Sequence, residues 1–306
     1  MPHPKLDCFL ESLPSDEYLL KRDVPMSALT SFRTGGPAAY CLSPKTPDAF
    51  CRAIAFLTEE KIPYLLLGHG TNVLAPDEGY DSVLLLTGEL KETAANGEQI
   101  TLGAGVLMNS AATFAKDHAL SGLEFAYGIP GSVGGALAMN AGAYEHEIGE
   151  LPITVLACDR NGSLRTLTTE ECRFGYRESI FQGEGLVALS CTLTLTPDDK
   201  DAIRARMDDY LARRKKSQPL EYPSAGSFFR RPTGYYAGKL IQDAGMKGAR
   251  VGGAQISEKH AGFLINYDRA TSADIRALGK KVQDEVQKQF GVTLQREVKY
   301  LGEEYD

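Results

Sequence analysis

The sequence predicts an α+β fold, and three observations carry that expectation. Beyond Glu98 the apolar segments are short and strand-like, at 99–102, 154–158 and 186–195, and Asp159-Arg160-Asn161-Gly162 reads as a hairpin-type turn. Helical periodicity appears at 108–118, 197–216 and 272–290. Glycine-rich segments at 68–74 and 122–149 then break the regular pattern. The strands after residue 98 are expected to pair mainly antiparallel.

Each element has a local reason. Residues 5–22 read as a short amphipathic helix, and 27–40 as a turn-rich entry containing Thr34-Gly35-Gly36-Pro37. Thr46-Pro47-Asp48 starts a helix: Thr46 can cap it, Pro47 suits the first helical position and Asp48 meets the positive end of the dipole. Phe50, Ile54 and Leu57 give that helix one apolar face, and 62–67 and 82–86 read as buried strands. In 197–216, Asp198 and Asp199 occupy the first turn and Arg213 to Lys216 the last, with Ile203, Met207, Tyr210 and Leu211 on the buried side. The terminal cations fit either dipole partners or a phosphate contact. Gln218-Pro219 marks a boundary. Ile275, Leu278, Val282 and Val286 stay in phase along 272–290, Gly291 stops that helix, and a strand at 292–301 closes the chain.

With 306 residues the chain can bury about three quarters of its unfolded surface and divide into modules. The boundaries fall at 20–90, 91–216 and 217–306, the last strand returning to the first module. Hydrophobic content of 43% and charged content of 24% are those of an ordinary globular protein, and a net charge of −7 argues against a nucleic-acid partner. No apolar run reaches the ~18 residues of a membrane span, and acidic residues stand where a signal peptide would be apolar, so the expected location is cytoplasmic. Cys8, Cys41, Cys51, Cys158, Cys172 and Cys191 lack C-x-x-C spacing and read as reduced and mostly buried.

The chemistry is expected at the glycines. Gly128-Ile129-Pro130-Gly131-Ser132-Val133-Gly134-Gly135 leaves main-chain N–H groups open to a ligand rich in anionic oxygens and flat rings. Gly68-His69-Gly70-Thr71-Asn72-Val73-Leu74, just past a strand, has a similar composition. Neither is the dinucleotide fingerprint, which would need glycine in place of Val73. Arg177, between Tyr176 and Glu178, fits either a surface contact with Glu178 or a guanidinium fork for a carboxylate. Ser227 lies in Ser224-Ala225-Gly226-Ser227-Phe228-Phe229-Arg230-Arg231-Pro232; on turn statistics it is a turn former, and no G-x-S-x-G elbow surrounds it. His69, His118, His146 and His260 lack metal-ligand spacing, and no metal is expected.

Five segments occur together in one order: 68–74, 128–135, Phe174-Gly175-Tyr176-Arg177-Glu178-Ser179, Ala225-Gly226-Ser227-Phe228-Phe229, and 247–262. In this the chain, from about Ser27 onward, resembles the UDP-N-acetylenolpyruvoylglucosamine reductases, in a short form without an inserted tyrosine loop. The resemblance implies an FAD-binding fold of the vanillyl-alcohol-oxidase type in two subdomains, and a C-terminal α+β substrate domain. It implies noncovalent FAD at Gly68, His69, Gly70, Thr71, Asn72, Val73, Leu74, Gly128, Ile129, Pro130, Gly131, Ser132, Gly134 and Gly135. NADPH would be the reductant and a UDP-sugar enolpyruvyl ether the substrate. By motif, Ser227 matches the proton donor, and Arg177 and Glu297 the pair that stabilises the enolate. Pattern alone makes Glu297 a solvated surface residue. Lys247 matches a diphosphate contact, and His260, Tyr144 and Tyr176 stand at substrate-side positions. Glu145 departs from the glycine common in the family after this tyrosine, which leaves that loop's conformation open. Two alternatives stand beside this: an FAD oxidase of an alcohol or sugar acid on the same fold, and a flavin- or nucleotide-sugar-binding protein without turnover.

Overall fold

The structure, a computed structural model, describes residues 4–183 and 185–303. The chain forms two compact units, one of 1–22, 40–69 and 81–213, the other of 23–39, 70–80 and 214–306.

The first unit begins with helix α1 (Pro4–Ser12), and a strand follows at Tyr18–Pro25. The expected helix over 5–22 therefore stops early. Pro14 cannot donate to a helical ladder and disfavours helical backbone at Leu13. Helix α2 (Pro47–Glu59) starts as expected: the Thr46 hydroxyl accepts from Ala49 N–H, with Pro47 at the first position. A sheet runs in the order Tyr18–Pro25, Pro37–Pro44, Tyr80–Leu86, Tyr64–Leu67. Its last two strands are parallel, in register from Tyr64↔Val83 to Leu67↔Leu86. Leu6, Leu10, Phe50, Ile54, Leu57, Val83 and Leu85 pack together between the helices and these strands. Each such side chain contributes about 1.5–3 kcal/mol on burial. Tyr64–Leu67 is less buried than its apolar run suggests, with Leu66 on the exposed face.

A second sheet is antiparallel, in the order Leu164–Thr168, Ile153–Cys158, Val187–Thr194, Gln99–Gly103, Thr93–Asn96. The expected turn at Asp159–Gly162 joins two of its strands, which pair from Thr154↔Thr168 to Cys158↔Leu164. Helices α3 (Met108–Asp117) and α4 (Val133–Met139) cover the sheet, sharing a core of Ile100, Met108, Phe125, Leu137, Val155 and Leu193. Helix α4 lies inside the stretch read as a loop, and Gly134 and Gly135 are helical residues. A Cβ on Gly134 would come within 2.9 Å of Ala104 Cβ, so glycine here allows helix and sheet to touch. Helix α5 (Lys200–Ser217) starts three residues later than the pattern suggests, because Thr196–Pro197 pairs with Leu120–Ser121. Five of the six free cysteines are buried; Cys8 is exposed.

In the second unit, helix α6 (Ala237–Asp243) and helix α7 (Ser272–Phe290) pack with Phe228, Phe229, Ile256, Leu264 and Leu294. Helix α7 runs as read. Thr271 and Asp274 form a capping box, Ile275, Leu278, Val282 and Val286 are fully buried, and Gly291 ends the helix at φ 68°. The strand expected at 292–301 shrinks to Lys299–Tyr300, which pairs in parallel with Val73–Leu74. Residues 292–298 instead make single bonds to the Phe228 segment, which is too short to pair as a full strand. A small antiparallel sheet of Arg250–Val251, Ala254–Ile256 and Leu264–Asn266 completes the unit.

Candidate functional site

In the first unit the parallel strands end side by side at Gly68 and Thr87, and Thr87 N–H donates to Leu67 O at 3.1 Å. Ligands gather beyond such carboxyl ends. A Cβ on Gly68 would lie 2.9 Å from Ser132 Oγ, 3.8 Å from Gly135 N and 3.9 Å from Thr87 Oγ1. Both hydroxyl oxygens are buried and have no hydrogen-bond partner. Ser132 stands at the N-cap of α4, yet its side chain makes no capping bond. Leaving a buried hydroxyl unpaired costs about 1–3 kcal/mol. The small-residue turn thus holds two unmet hydroxyls, and a ligand with anionic oxygens would meet them.

The main-chain amides of the glycine stretch are less open than its composition suggests. Gly128 N–H donates to Asn109 Oδ1 at 2.6 Å and Ile129 N–H to Ala126 O at 3.0 Å. Val133 N–H donates to Val106 O at 2.8 Å, and Gly134 N–H to Ala104 O at 2.9 Å. Met108 N–H in turn donates to Gly131 O at 3.0 Å. These groups brace the turn from within. Pro130 and Gly135 are exposed, as is His69.

Arg177 is built from the far end of α4. Asn140, buried and left-handed at φ 41°, donates to Glu147 Oε2 at 2.7 Å and to Gly175 O at 2.9 Å, and accepts from Gly149 N–H. Ser179 Oγ and Gln182 Nε2 both donate to Ala138 O, and Gln182 also to Arg177 O at 2.8 Å. The guanidinium donates to Asn140 O at 3.4 Å and Gly142 O at 3.3 Å, and lies 3.7 Å from Glu147 Oε1. Glu147, on a different loop from the adjacent Glu178, is thus one acidic neighbour of the guanidinium. Tyr176, 48% exposed, carries the guanidinium 5.2 Å from its ring centre. Tyr144 stacks on Tyr210 at 4.4 Å and donates its hydroxyl to Tyr210 O at 2.7 Å.

In the second unit, Gly70 must be glycine: at φ 65° a Cβ would sit 1.9 Å from Leu29 O. The loop it begins runs beside the chain's end. Asn72 Nδ2 donates to Glu297 O at 3.1 Å, Lys299 N–H to Asn72 O at 3.0 Å, and Leu301 N–H to Leu74 O at 2.9 Å. On its other side Glu297 N–H donates to Phe228 O at 2.9 Å. One ladder of hydrogen bonds, with the Asn72 side chain as a rung, therefore joins the 70–74 loop, Glu297 and the residue after Ser227. Glu297 is half-buried, where pattern alone made it a solvated surface residue. Ser227 is exposed, follows Gly226 at φ 77°, and faces Phe263 in an antiparallel bridge. Phe228 below it packs on α7, where a Cβ on Gly279 would be 2.8 Å from its ring. Lys247 is exposed and His260 half-buried, its Nδ1 accepting from Gly262 N–H at 3.1 Å.

Three residues of these clusters escaped the sequence reading. Thr87 gives no signal, because a threonine ending a strand is unremarkable until its neighbours are known. Asn140 could have been suspected, since asparagine after a short helical run favours the left-handed C-cap. Lys299 is a half-buried cation whose pKa is pushed down to about 8, first by desolvation and then by Arg230's charge. Its i, i+2 spacing from Glu297 was the available sign.

Comparisons with known proteins identify the family. Residues 38–168 match the family described as an FAD binding domain, and residues 218–301 the UDP-N-acetylenolpyruvoylglucosamine reductase, C-terminal domain. A UDP-N-acetylenolpyruvoylglucosamine reductase of Clostridium novyi is 45% identical over 295 residues, 96% of each chain. One from Agathobacter rectalis is 45% identical over 297 residues, covering 93% of this chain and 94% of its own. The crystal structure of the Thermus caldophilus enzyme superposes with a TM-score of 0.79 at 33% identity, over 92% of this chain and 99% of that one. A glucose dehydrogenase, Phl p 4.0202, shares the fold alone, with a TM-score of 0.50 at 14% identity over 64% of this chain and 44% of its own. Near-full-length identity, both domain matches and the superposition agree, and this chain belongs to the UDP-N-acetylenolpyruvoylglucosamine reductase family.

Proposed function

We propose that this chain reduces the enolpyruvyl ether of UDP-N-acetylglucosamine to UDP-N-acetylmuramate, with NADPH as reductant and noncovalent FAD as carrier, in cytoplasmic peptidoglycan synthesis. The alternative oxidase and binding-protein readings find no support in the relatives. The observation that carries the proposal is the ladder through Glu297, whose backbone bonds both the 70–74 loop and the segment bearing Ser227. The residues fit FAD: the orphaned Ser132 and Thr87 hydroxyls at the Gly68 turn suit its pyrophosphate. Residues 20–90 and 91–216 are assigned to the cofactor and 217–306 to the sugar nucleotide.

Bound FAD supplies a hydride carrier, reduced by NADPH and oxidised by the β carbon of the enol ether. Arg177 offers a guanidinium fork to the substrate carboxylate as negative charge develops there. Glu297 contributes to the same stabilisation as an acid, donating a hydrogen bond when protonated. Ser227 delivers the proton to the α carbon; its hydroxyl is protonated at every physiological pH, and nearby cations ease its transient loss. Lys247 meets the diphosphate, and Tyr144 and Tyr176 line the substrate side.

The test is spectroscopic. The purified protein is expected to be yellow, to bleach with NADPH in the absence of oxygen, and to recover its colour on adding the enol ether. Protein that stays colourless and takes up no added FAD would sink the reading.

A further inference from the structure

The hairpin loop 257–263 is bonded from within. Ser257 Oγ accepts from the N–H groups of Lys259 at 3.1 Å and His260 at 3.3 Å. Ser257 N–H donates to Phe263 O at 2.9 Å, and Phe263 N–H to His260 O at 3.0 Å. Inside this frame the His260 ring turns back on its own backbone, Nδ1 accepting from Gly262 N–H at 3.1 Å. An asparagine side chain makes the same two-residue contact in an Asx turn. The next peptide along leads to the proposed proton donor: Gly262 O accepts from Phe228 N–H at 2.9 Å, and Phe263 bridges Ser227.

We infer that His260 is a positioning residue for Ser227, holding the Gly262–Phe263 backbone against which the Ser227–Phe228 backbone is set. It acts through Nδ1 and the main chain, and this inference rests on the proposed reaction and on Ser227's part in it. The ring has little freedom to turn. Cβ atoms on Gly238 and Gly262 would lie 3.3 Å and 3.0 Å from its Cε1, and Phe263 meets it edge-on with centres 5.0 Å apart. Burial pushes its pKa below the ordinary histidine value, and the charge of Lys247 pushes the same way. The ring is therefore neutral near pH 7, and a neutral ring with Nδ1 as acceptor carries its proton on Nε2.

Two substitutions separate this role from direct contact with the substrate. Asparagine puts an acceptor oxygen where Nδ1 stands, whereas glutamine puts a donor nearer Nε2. Stopped-flow measurement follows both half-reactions without oxygen. His260→Ala is expected to slow flavin reoxidation by the enol ether about tenfold, the effect of one lost hydrogen bond, and more than it slows reduction by NADPH. The change should fall on the limiting rate and leave the half-saturating substrate concentration within about twofold of wild type. His260→Asn should recover most of the rate, and His260→Gln should not. Recovery with glutamine alone, or with neither, overturns the inference. The 15N shifts of the wild-type ring judge the hydrogen bond independently of turnover and of whether the variants fold: a protonated Nδ1 overturns it as well. Wild-type protein that binds FAD but is never reoxidised by the enol ether removes the proposed reaction, and the ring shifts still decide the geometry.

Discussion

Around Gly68 two hydroxyls are buried and unpaired, whereas the backbone around Ser227 is bonded on both sides. The Gly68 turn leaves polar groups unmet, at a cost to the protein alone, and a ligand removes that cost. The Ser227 segment is tied to residues 262–263 and 295–297, and Ser227 itself is exposed. The proposed cofactor site and the proposed catalytic site thus carry opposite signatures. Substitutions at the first should weaken cofactor binding without destabilising the empty protein. Substitutions at the second should change turnover without changing cofactor content.

The largest effect tests the second half of that contrast. Ser227→Ala should slow reoxidation by the enol ether at least a hundredfold, near the low end for general acid catalysis, while NADPH still bleaches the flavin. Equal rates in variant and wild type would remove Ser227 from the mechanism.

The first half is tested by Ser132→Ala and Thr87→Val. Each should raise the FAD dissociation constant about tenfold, the effect of one hydrogen bond to a charged oxygen. The FAD-free variants should melt no lower than wild type, because no bond inside the protein is lost. A lower melting temperature with unchanged FAD affinity would make both hydroxyls structural and dissolve the comparison.

The two sites also differ in how far the sequence reveals them. Gly68, Gly134 and Gly70 are visible because close approach or positive φ demands glycine, and that demand is local to the chain. Helix α7 is legible for the same reason: its capping box, its periodic core and Gly291 all lie within one short stretch. What defines the ladder is distant in sequence. Asn72 meets Glu297 across 225 positions, and no periodicity encodes such a pairing. Glu297 therefore reads as a surface residue until motif order promotes it. The open amides expected of Gly128 and Gly134 fail for a related reason, since composition reveals flexibility but not the acceptors, Asn109 Oδ1 and Ala104 O, that engage them.

Lys299 sharpens the comparison, because it is a half-buried cation at the end of the ladder, beside the charge of Arg230. Its pKa is about 8 in the folded chain, against about 10.4 when unfolded. Between those values the unfolded chain binds a proton that the folded chain does not, so this residue makes stability rise with pH across the window. FAD-free Lys299→Met should lose that part of the rise when melting temperatures at pH 7.5 and pH 10 are compared with wild type. An unchanged difference would mean the lysine is solvated in the folded chain.

The smallest effect lies at the family departure. Tyr144 and Glu145 form the two-residue turn between Gly142–Ala143 and His146–Glu147, with φ of 56° and 67°. A hairpin turn with two positive φ values favours glycine or asparagine, and neither residue is one. Tyr144 is held by its stacking and hydrogen bond to Tyr210, so it has a reason to accept the strained backbone. Glu145 is exposed and has no such reason among the contacts described. Glu145→Gly should therefore stabilise the protein by about 0.5–1 kcal/mol in urea unfolding, with the half-reactions unchanged. A loss of stability would mean that the entropy glycine adds to the unfolded chain outweighs the relief of backbone strain at this turn.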